Sequence, residues 1–370
     1  MRQILGAFLA LGCCLPALSQ VAGQRKEPAA RAESLQKRWQ AAFAGLARPD
    51  TPGFAVSVTK AGEVLFADGF GVRDLRGKER IDARTNFRLA SCSKQFTAMS
   101  IMLLVHDGQL GYDAKLTDVF PEFPGYGKAI TIRHLLNHTS GLPDYEDLMI
   151  KAETPRNSWI WTPERQIQDH EVLKLLEQES GGKFLPGSQW SYSNSGYVLL
   201  GLIVAKVSGK SFPEFLRDRI FVPLQMHETL AYVRGKREIA NRSYGHSKQG
   251  AAWKQTDQSP TSATLGDGGV YSSLKDLAKW DEALANHTLL SDAEMQPANL
   301  WTTTQEISYR LSKFTLAKKP NALTTIIRKA IVLSYLNGWA TPLTTSDETI
   351  VTIAMKDCKS TTVPPNSPKT

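Results

Sequence analysis

One β-hairpin followed by a long run of helices is the pattern that most limits what this chain can fold into. Residues 54–60 and 63–66 are strand-like runs separated by Ala61-Gly62, which predicts two antiparallel strands joined by a glycine-containing turn. Ahead of them, Leu35, Trp39, Phe43 and Leu46 recur on one face of a predicted helix over 28–47. Beyond them, helices are predicted over 94–107, 132–137, 166–179, 197–207 and 273–285, with Gly108 and Gly181-Gly182 as stops. Strands and helices do not alternate, so a parallel βαβ sheet is excluded. The expected fold is α/β of the α+β type: an antiparallel sheet flanked by helices, with a helical region inserted.

With 370 residues, 42% of them hydrophobic, the chain can build a large core without disulfides. Its four cysteines agree, since Cys13 and Cys14 fall in a leader-like segment and leave only Cys92 and Cys358. The net charge of +8 is concentrated at the end, where residues 298–370 hold nine Lys/Arg against four Asp/Glu. The rest is nearly balanced, and aromatic residues do not interleave with basic ones. Nucleic-acid binding is therefore excluded as a reading of the charge.

Residues 1–23 read as a signal peptide: Arg2 supplies the positive start, and residues 4–18 an apolar stretch too short for a stable membrane span. Cleavage is expected after Ala17-Leu18-Ser19 or Val21-Ala22-Gly23. A lipid anchor on Cys13, within the imperfect lipobox Ala10-Leu11-Gly12-Cys13, is the alternative. Export points to a bacterial periplasm or exterior. The main domain spans 24–297, and composition changes near 298. Of the 27 glycines only Gly338 lies beyond that point, and no histidine follows His287. Residues 298–370 are thus an atypical tail, explained by a frameshift, a gene fusion or divergence.

No Gly-x-Ser-x-Gly elbow occurs, which argues against an α/β-hydrolase. Ser-x-x-Lys occurs five times, at Ser34, Ser57, Ser91, Ser180 and Ser272, so context must choose among them. Ser91-Cys92-Ser93-Lys94 alone follows a strand-like run, residues 87–90, and opens a long apolar helix. At that spacing the serine and lysine share one helical face, and a buried neutral lysine can take the serine proton. The helix N-terminus would favour a developing oxyanion. The plainer alternative for Ser91 is a helix N-cap. Tyr192-Ser193-Asn194 follows a turn-rich segment; its tyrosine can relay a proton and Asn194 can offer an amide to substrate and Lys94. Tyr-x-Asn recurs at Tyr335-Leu336-Asn337, and a buried turn tyrosine is the alternative for Tyr192. His134 and His138 lack the zinc-protease glutamate between them and read as a helix-end pair. Gly69-Phe70-Gly71 reads as the end of the hairpin, and Cys92 as a packed core cysteine.

Residues 87–94, His138-Thr139-Ser140-Gly141-Leu142, residues 192–197 and residues 268–273 occur in one order. In this the chain resembles the serine β-lactamase-related family: class C β-lactamases, low-molecular-weight penicillin-binding proteins and related esterases. The resemblance covers roughly residues 30–297. It implies the β-lactamase/transpeptidase-like fold and acyl transfer through Ser91, activated by Lys94 and Tyr192, with Asn194 a substrate contact. Gly141 and Gly268-Gly269 would shape the fold. The implied substrates are β-lactams, D-alanyl peptides from peptidoglycan, or esters, with no cofactor and no metal; the oligomeric state is left open. The family's third motif, Lys or His, any residue, then Gly, is missing after residue 297. That strand would supply an oxyanion donor, so an impaired member that at most binds such ligands is the alternative. Residues 331–336 and 349–355 carry strand-like runs that could complete the sheet.

Overall fold

The computed structural model of the chain describes residues 36–41, 43–60, 63–153, 160–299 and 349–355. The segment 1–23 expected to be a leader, Cys13, the expected turn at 61–62, residues 331–336, Gly338 and Cys358 lie outside the described residues. Two units are distinguished, Met1–Gly45 and Leu46–Thr370. In the first, residues 36–41 and 43–44 are helical. The four-residue spacing stacks Trp39 on Phe43, with ring centroids 6.2 Å apart.

The second unit holds all remaining elements. Strands β1 (Phe54–Lys60) and β2 (Glu63–Phe70) form the expected antiparallel hairpin, from Phe54 opposite Phe70 to Lys60 opposite Glu63. β2 runs four residues past the expected end. Gly69 permits this: a Cβ there would lie 2.2 Å from the Ile81 carbonyl oxygen, so only glycine lets the strand continue beneath the crossing chain.

A short strand β3 (Phe87–Arg88) leads through a 3-10 turn, Ala90–Ser93, into α1 (Lys94–His106). Then come α2 (Leu116–Val119), α3 (Ile132–Leu136), α4 (Tyr145–Glu153), α5 (Asp169–Glu177) and α6 (Asn194–Ser208). After α7 (Phe212–Leu216) come β4 (Leu230–Ala231), β5 (His246–Gln249), β6 (Ala252–Gln255) and β7 (Val270–Ser272). The last elements are α8 (Leu274–Ala285), α9 (Asp292–Asn299) and β8 (Thr349–Met355).

The paired strands among the described residues are antiparallel. β8 lies along the free edge of β1, with Phe54 opposite Met355 and Lys60 opposite Thr349, giving the order β2-β1-β8. A strand from the atypical tail therefore covers the hairpin edge, and the ladder leaves β1 no exposed row of backbone groups on that side. A second sheet has the order β3-β7-β4, with Phe87 opposite Ser272 and Leu230 opposite Tyr271. The fold is the expected α+β arrangement of antiparallel sheets and helices.

Two helices are buried almost all round, as their apolar composition requires. In α1 every residue from Lys94 to Leu104 is buried, and α6 buries Tyr197 through Gly201, Ile203 and Val204. Phe96 lies between Phe221 and Trp280, at 5.4 and 4.7 Å. The Trp280 indole N–H donates to Gln95 Oε1 at 2.5 Å, which leaves neither buried polar group unpaired. Each large apolar side chain in this core contributes about 1.5–3 kcal/mol of burial free energy.

Two helix starts lie three residues from the expectation, each for a capping reason. α6 starts at Asn194, three residues early, because the Ser193 hydroxyl accepts the Gly196 N–H at 3.0 Å. α5 starts at Asp169 instead of 166, where Gln168 N–H donates to Glu171 Oε2 at 2.9 Å and sets the first turn.

Candidate active site

Ser91 lies in the 3-10 turn, not at the N-cap of α1, which is Ser93. The Ser93 hydroxyl accepts the Val270 N–H at 3.0 Å and ties the turn to β7. Ala90, just before the serine, has φ of +47°. A non-glycine residue in that region stores local strain, which the flanking β3 and α1 hold in place. The N-cap alternative for Ser91 is not what its hydroxyl does.

Lys94 opens α1 three residues after Ser91, so its side chain returns along the same face. Its Nζ lies 3.3 Å from Ser91 Oγ, and donates to Asn194 Oδ1 at 2.9 Å and to the Asp267 carbonyl oxygen at 2.8 Å. The residue is 1% exposed, so these partners replace water around the amine. The Asp267 carbonyl reaches it because Gly266 packs flat on α6: a Cβ at Gly266 would lie 2.2 Å from the Tyr197 carbonyl oxygen. Thr97, one turn along α1, donates to the Gly266 carbonyl at 2.6 Å and fixes the same segment.

Tyr192 enters from the start of α6, and its phenol donates to Ser91 Oγ at 2.9 Å. Lys94 Nζ stands 5.0 Å from the centre of the Tyr192 ring and 5.6 Å from that of Tyr197. Ser91, Lys94, Tyr192 and Asn194 are thus brought together from two segments about 100 residues apart in the chain.

His138 completes the arrangement, and the sequence did not mark it as a site residue. It is 8% exposed, with φ of +58°. Its ring lies on Tyr192 at 4.7 Å and on Tyr197 at 5.0 Å, and its Nδ1 accepts the Ser193 N–H at 3.1 Å. Burial, with the charge of Lys94 second, pushes its pKa down to about 3. The only sequence signal was its place in the His138–Leu142 loop. In that loop Gly141 has φ of +71°, and a Cβ there would sit 2.2 Å from the Phe184 carbonyl oxygen. His134 does separate work: its Nδ1 accepts the Thr131 N–H at 3.2 Å in the first turn of α3.

Burial pushes the Cys92 thiol up, with Lys94 opposing, so it is a packed cysteine and no activated thiolate. Tyr145, buried beneath the site, donates to Asp267 Oδ2 at 3.3 Å; burial and the Asp267 charge raise its phenol well above the ordinary range. No group of three metal-ligand side chains occurs among the described residues. No described helix is long and apolar enough to cross a membrane. The segment where the third motif would stand lies outside the described residues.

A serine hydroxyl held between a buried lysine and a tyrosine narrows the choice of family, and comparison with known proteins decides it. The Beta-lactamase family model matches residues 38–313. The chain belongs to the beta-lactamase family. It is 34% identical over 278 residues to penicillin-binding protein 4* of Bacillus subtilis (strain 168), covering 72% of this chain and 59% of that protein. It is 26% identical over 281 residues to D-aminopeptidase of Cereibacter sphaeroides, covering 72% of this chain and 50% of that protein. Among solved structures it resembles D-amino acid amidase from Ochrobactrum anthropi SV3, complexed with L-phenylalanine. There the TM-score is 0.58 and the identity 28%, over 69% of this chain and 71% of that one. The chain spans between half and three fifths of the length of these two curated relatives. The fold of this beta-lactamase-family chain is that of penicillin-binding proteins and amidases.

Proposed function

We propose that this chain is an exported serine hydrolase that works by acyl transfer through Ser91. One observation carries the reading: Ser91 Oγ sits between Lys94 Nζ at 3.3 Å and the Tyr192 phenol at 2.9 Å. In the proposed reaction Ser91 Oγ bonds to a carbonyl carbon of a β-lactam, D-amino-acid amide or ester. The C–N or C–O bond to the leaving group breaks and the leaving nitrogen or oxygen takes up a proton; an amine or alcohol departs, whereas in a β-lactam the nitrogen stays tethered in the opened ring. Water then attacks the acyl-serine, releasing the acid and restoring the hydroxyl.

The hydrogen bonds around Ser91 support one proton path. Lys94 Nζ donates to Asn194 Oδ1 and to the Asp267 carbonyl and lies 3.3 Å from Ser91 Oγ, within reach of the serine proton. Lys94 then takes the serine proton, while Tyr192, already donating to Ser91 Oγ, relays a proton toward the leaving group. Asn194, fixed by Lys94, offers its amide N–H to substrate.

The organisation proposed with this function is a leader at 1–23, a hydrolase domain at 24–297 and an atypical tail at 298–370. A second reading, an impaired member, is favoured by one observation: residues 298–370 contain no Lys-x-Gly or His-x-Gly. Loss of one oxyanion donor typically costs about 10² to 10³ in rate, so turnover is expected to be slow compared with relatives that keep the motif. The test is hydrolysis of an activated ester, a chromogenic cephalosporin and a D-phenylalanine amide by parent and Ser91→Ala chains. Serine-dependent turnover of at least one supports the first reading; stoichiometric acylation without turnover supports the second. Turnover retained in Ser91→Ala contradicts both.

A further inference from the structure

We propose that His138 is the positioning residue for Tyr192, holding its phenol on Ser91 through three contacts that bracket that one residue. The carbonyl of His138 accepts the N–H of Ser191, the residue before Tyr192, at 2.9 Å. Its Nδ1 accepts the N–H of Ser193, the residue after, at 3.1 Å. Its ring lies on the tyrosine ring itself, centroids 4.7 Å apart and planes 33° apart. A residue that served only to fill the core would not need all three. The left-handed backbone of His138, φ +58°, is what lets one residue present carbonyl and ring to the same strip of chain.

The charged and titratable groups around the ring are Lys94, Tyr192 and Tyr197, with Trp190 edge-on at 6.0 Å. Beside the Lys94 charge and out of water the imidazole stays neutral across working pH, which suits an acceptor of a backbone N–H. With Nδ1 occupied by Ser193, the ring is committed to holding the loop. The inference rests on the reading that Tyr192 takes part in acylation at Ser91.

The test uses the full chain, a fluorescent penicillin and tyrosine labelled with ¹³C in its ring. His138→Asn keeps a side-chain oxygen for the Ser193 N–H and tolerates left-handed backbone, but removes the ring. Acylation is expected to slow about tenfold to a hundredfold, as displacement of a catalytic group does, with probe affinity before acylation unchanged. In a Tyr192→Phe background the same change should cost almost nothing more, since there is no phenol left to place. Losses that simply add, or a parent rate in His138→Asn, overturn the proposal. Should that variant not fold, His138→Gln likewise removes the ring; a parent rate there overturns the proposal equally. If the parent takes up no probe, it is the acylation reading that has failed. Positioning is then decided by the Tyr192 ring resonance, identified by its loss in Tyr192→Phe. A shifted signal in His138→Asn supports the proposal and an unmoved one overturns it.

Discussion

The phenol of Tyr192 donates to Ser91 Oγ across 2.9 Å, although the two residues lie 101 positions apart in the chain. Each stands at a junction between a turn and a buried helix, and Lys94 on the first helix bonds to Asn194 on the second. The distances around Ser91 are therefore set by how α1 packs on α6, and rigid helices place reactive groups more reproducibly than loops do.

Replacing Lys94 tests that packing and the chemistry together. Lys94→Met fills similar space but leaves Asn194 Oδ1 and the Asp267 carbonyl without the amine. Acylation by a fluorescent penicillin should fall by about 10² to 10⁴, the usual worth of a positioned acid–base group. Stopped-flow measurement of parent and variant checks this; equal rates would mean that another residue takes the proton.

The depressed pKa of His138 gives stability a pH dependence of definite sign. Its ordinary value is 6.5 and burial holds it near 3 in the native state. Between those values the unfolded chain binds the proton and the native chain does not, so this contribution is full above about pH 6.5 and is lost as pH falls toward 3. Asp169 and Asp281, both pushed up to about 7 by burial, act in the opposite sense but are common to parent and variant. Urea unfolding at several pH values should show the gap between parent and His138→Asn narrowing from pH 7 to pH 4. A constant gap would show that His138 is protonated in the native state.

Two glycines separate backbone requirement from mere tolerance. Gly141→Ala places a Cβ against the Phe184 carbonyl at φ of +71° and should cost more than about 2 kcal/mol. Gly125 has open space around its Cβ position, and Gly125→Ala should leave stability unchanged or raise it by up to about 1 kcal/mol. Thermal unfolding of the two variants, each against the parent, measures the contrast.

Residues 349–355 give the hairpin its third strand. A chain ending at residue 348 should melt lower and scatter light at concentrations where the full chain stays clear, because the edge of β1 is then bare. Identical melting and scattering would mean that β8 adds nothing to the sheet.

Much of this arrangement was legible in the residues. The long apolar run after Lys94, closed by Gly108, marked α1, and the strand-like residues 87–90 ahead of it singled out Ser91 among five similar motifs. The start of α6 was expected at residue 197 and not at Asn194 because the cap that starts it is a single bond, the Gly196 N–H donating to the Ser193 hydroxyl, invisible without coordinates. Strands β4 and β7 are two or three residues long, too short for any periodicity to register. β6 is exposed throughout and carries no alternation. His138 escaped notice as a site residue because its role depends on Ser191, Tyr192 and Ser193, more than fifty residues away, and spacing along the chain holds no trace of such contacts.

Mass analysis of the full chain after incubation with a penicillin tests the central claim most directly. The account predicts one added acyl group, carried by the peptide that contains Ser91 and absent from Ser91→Ala. An adduct on another residue, or labelling undiminished in Ser91→Ala, would contradict it.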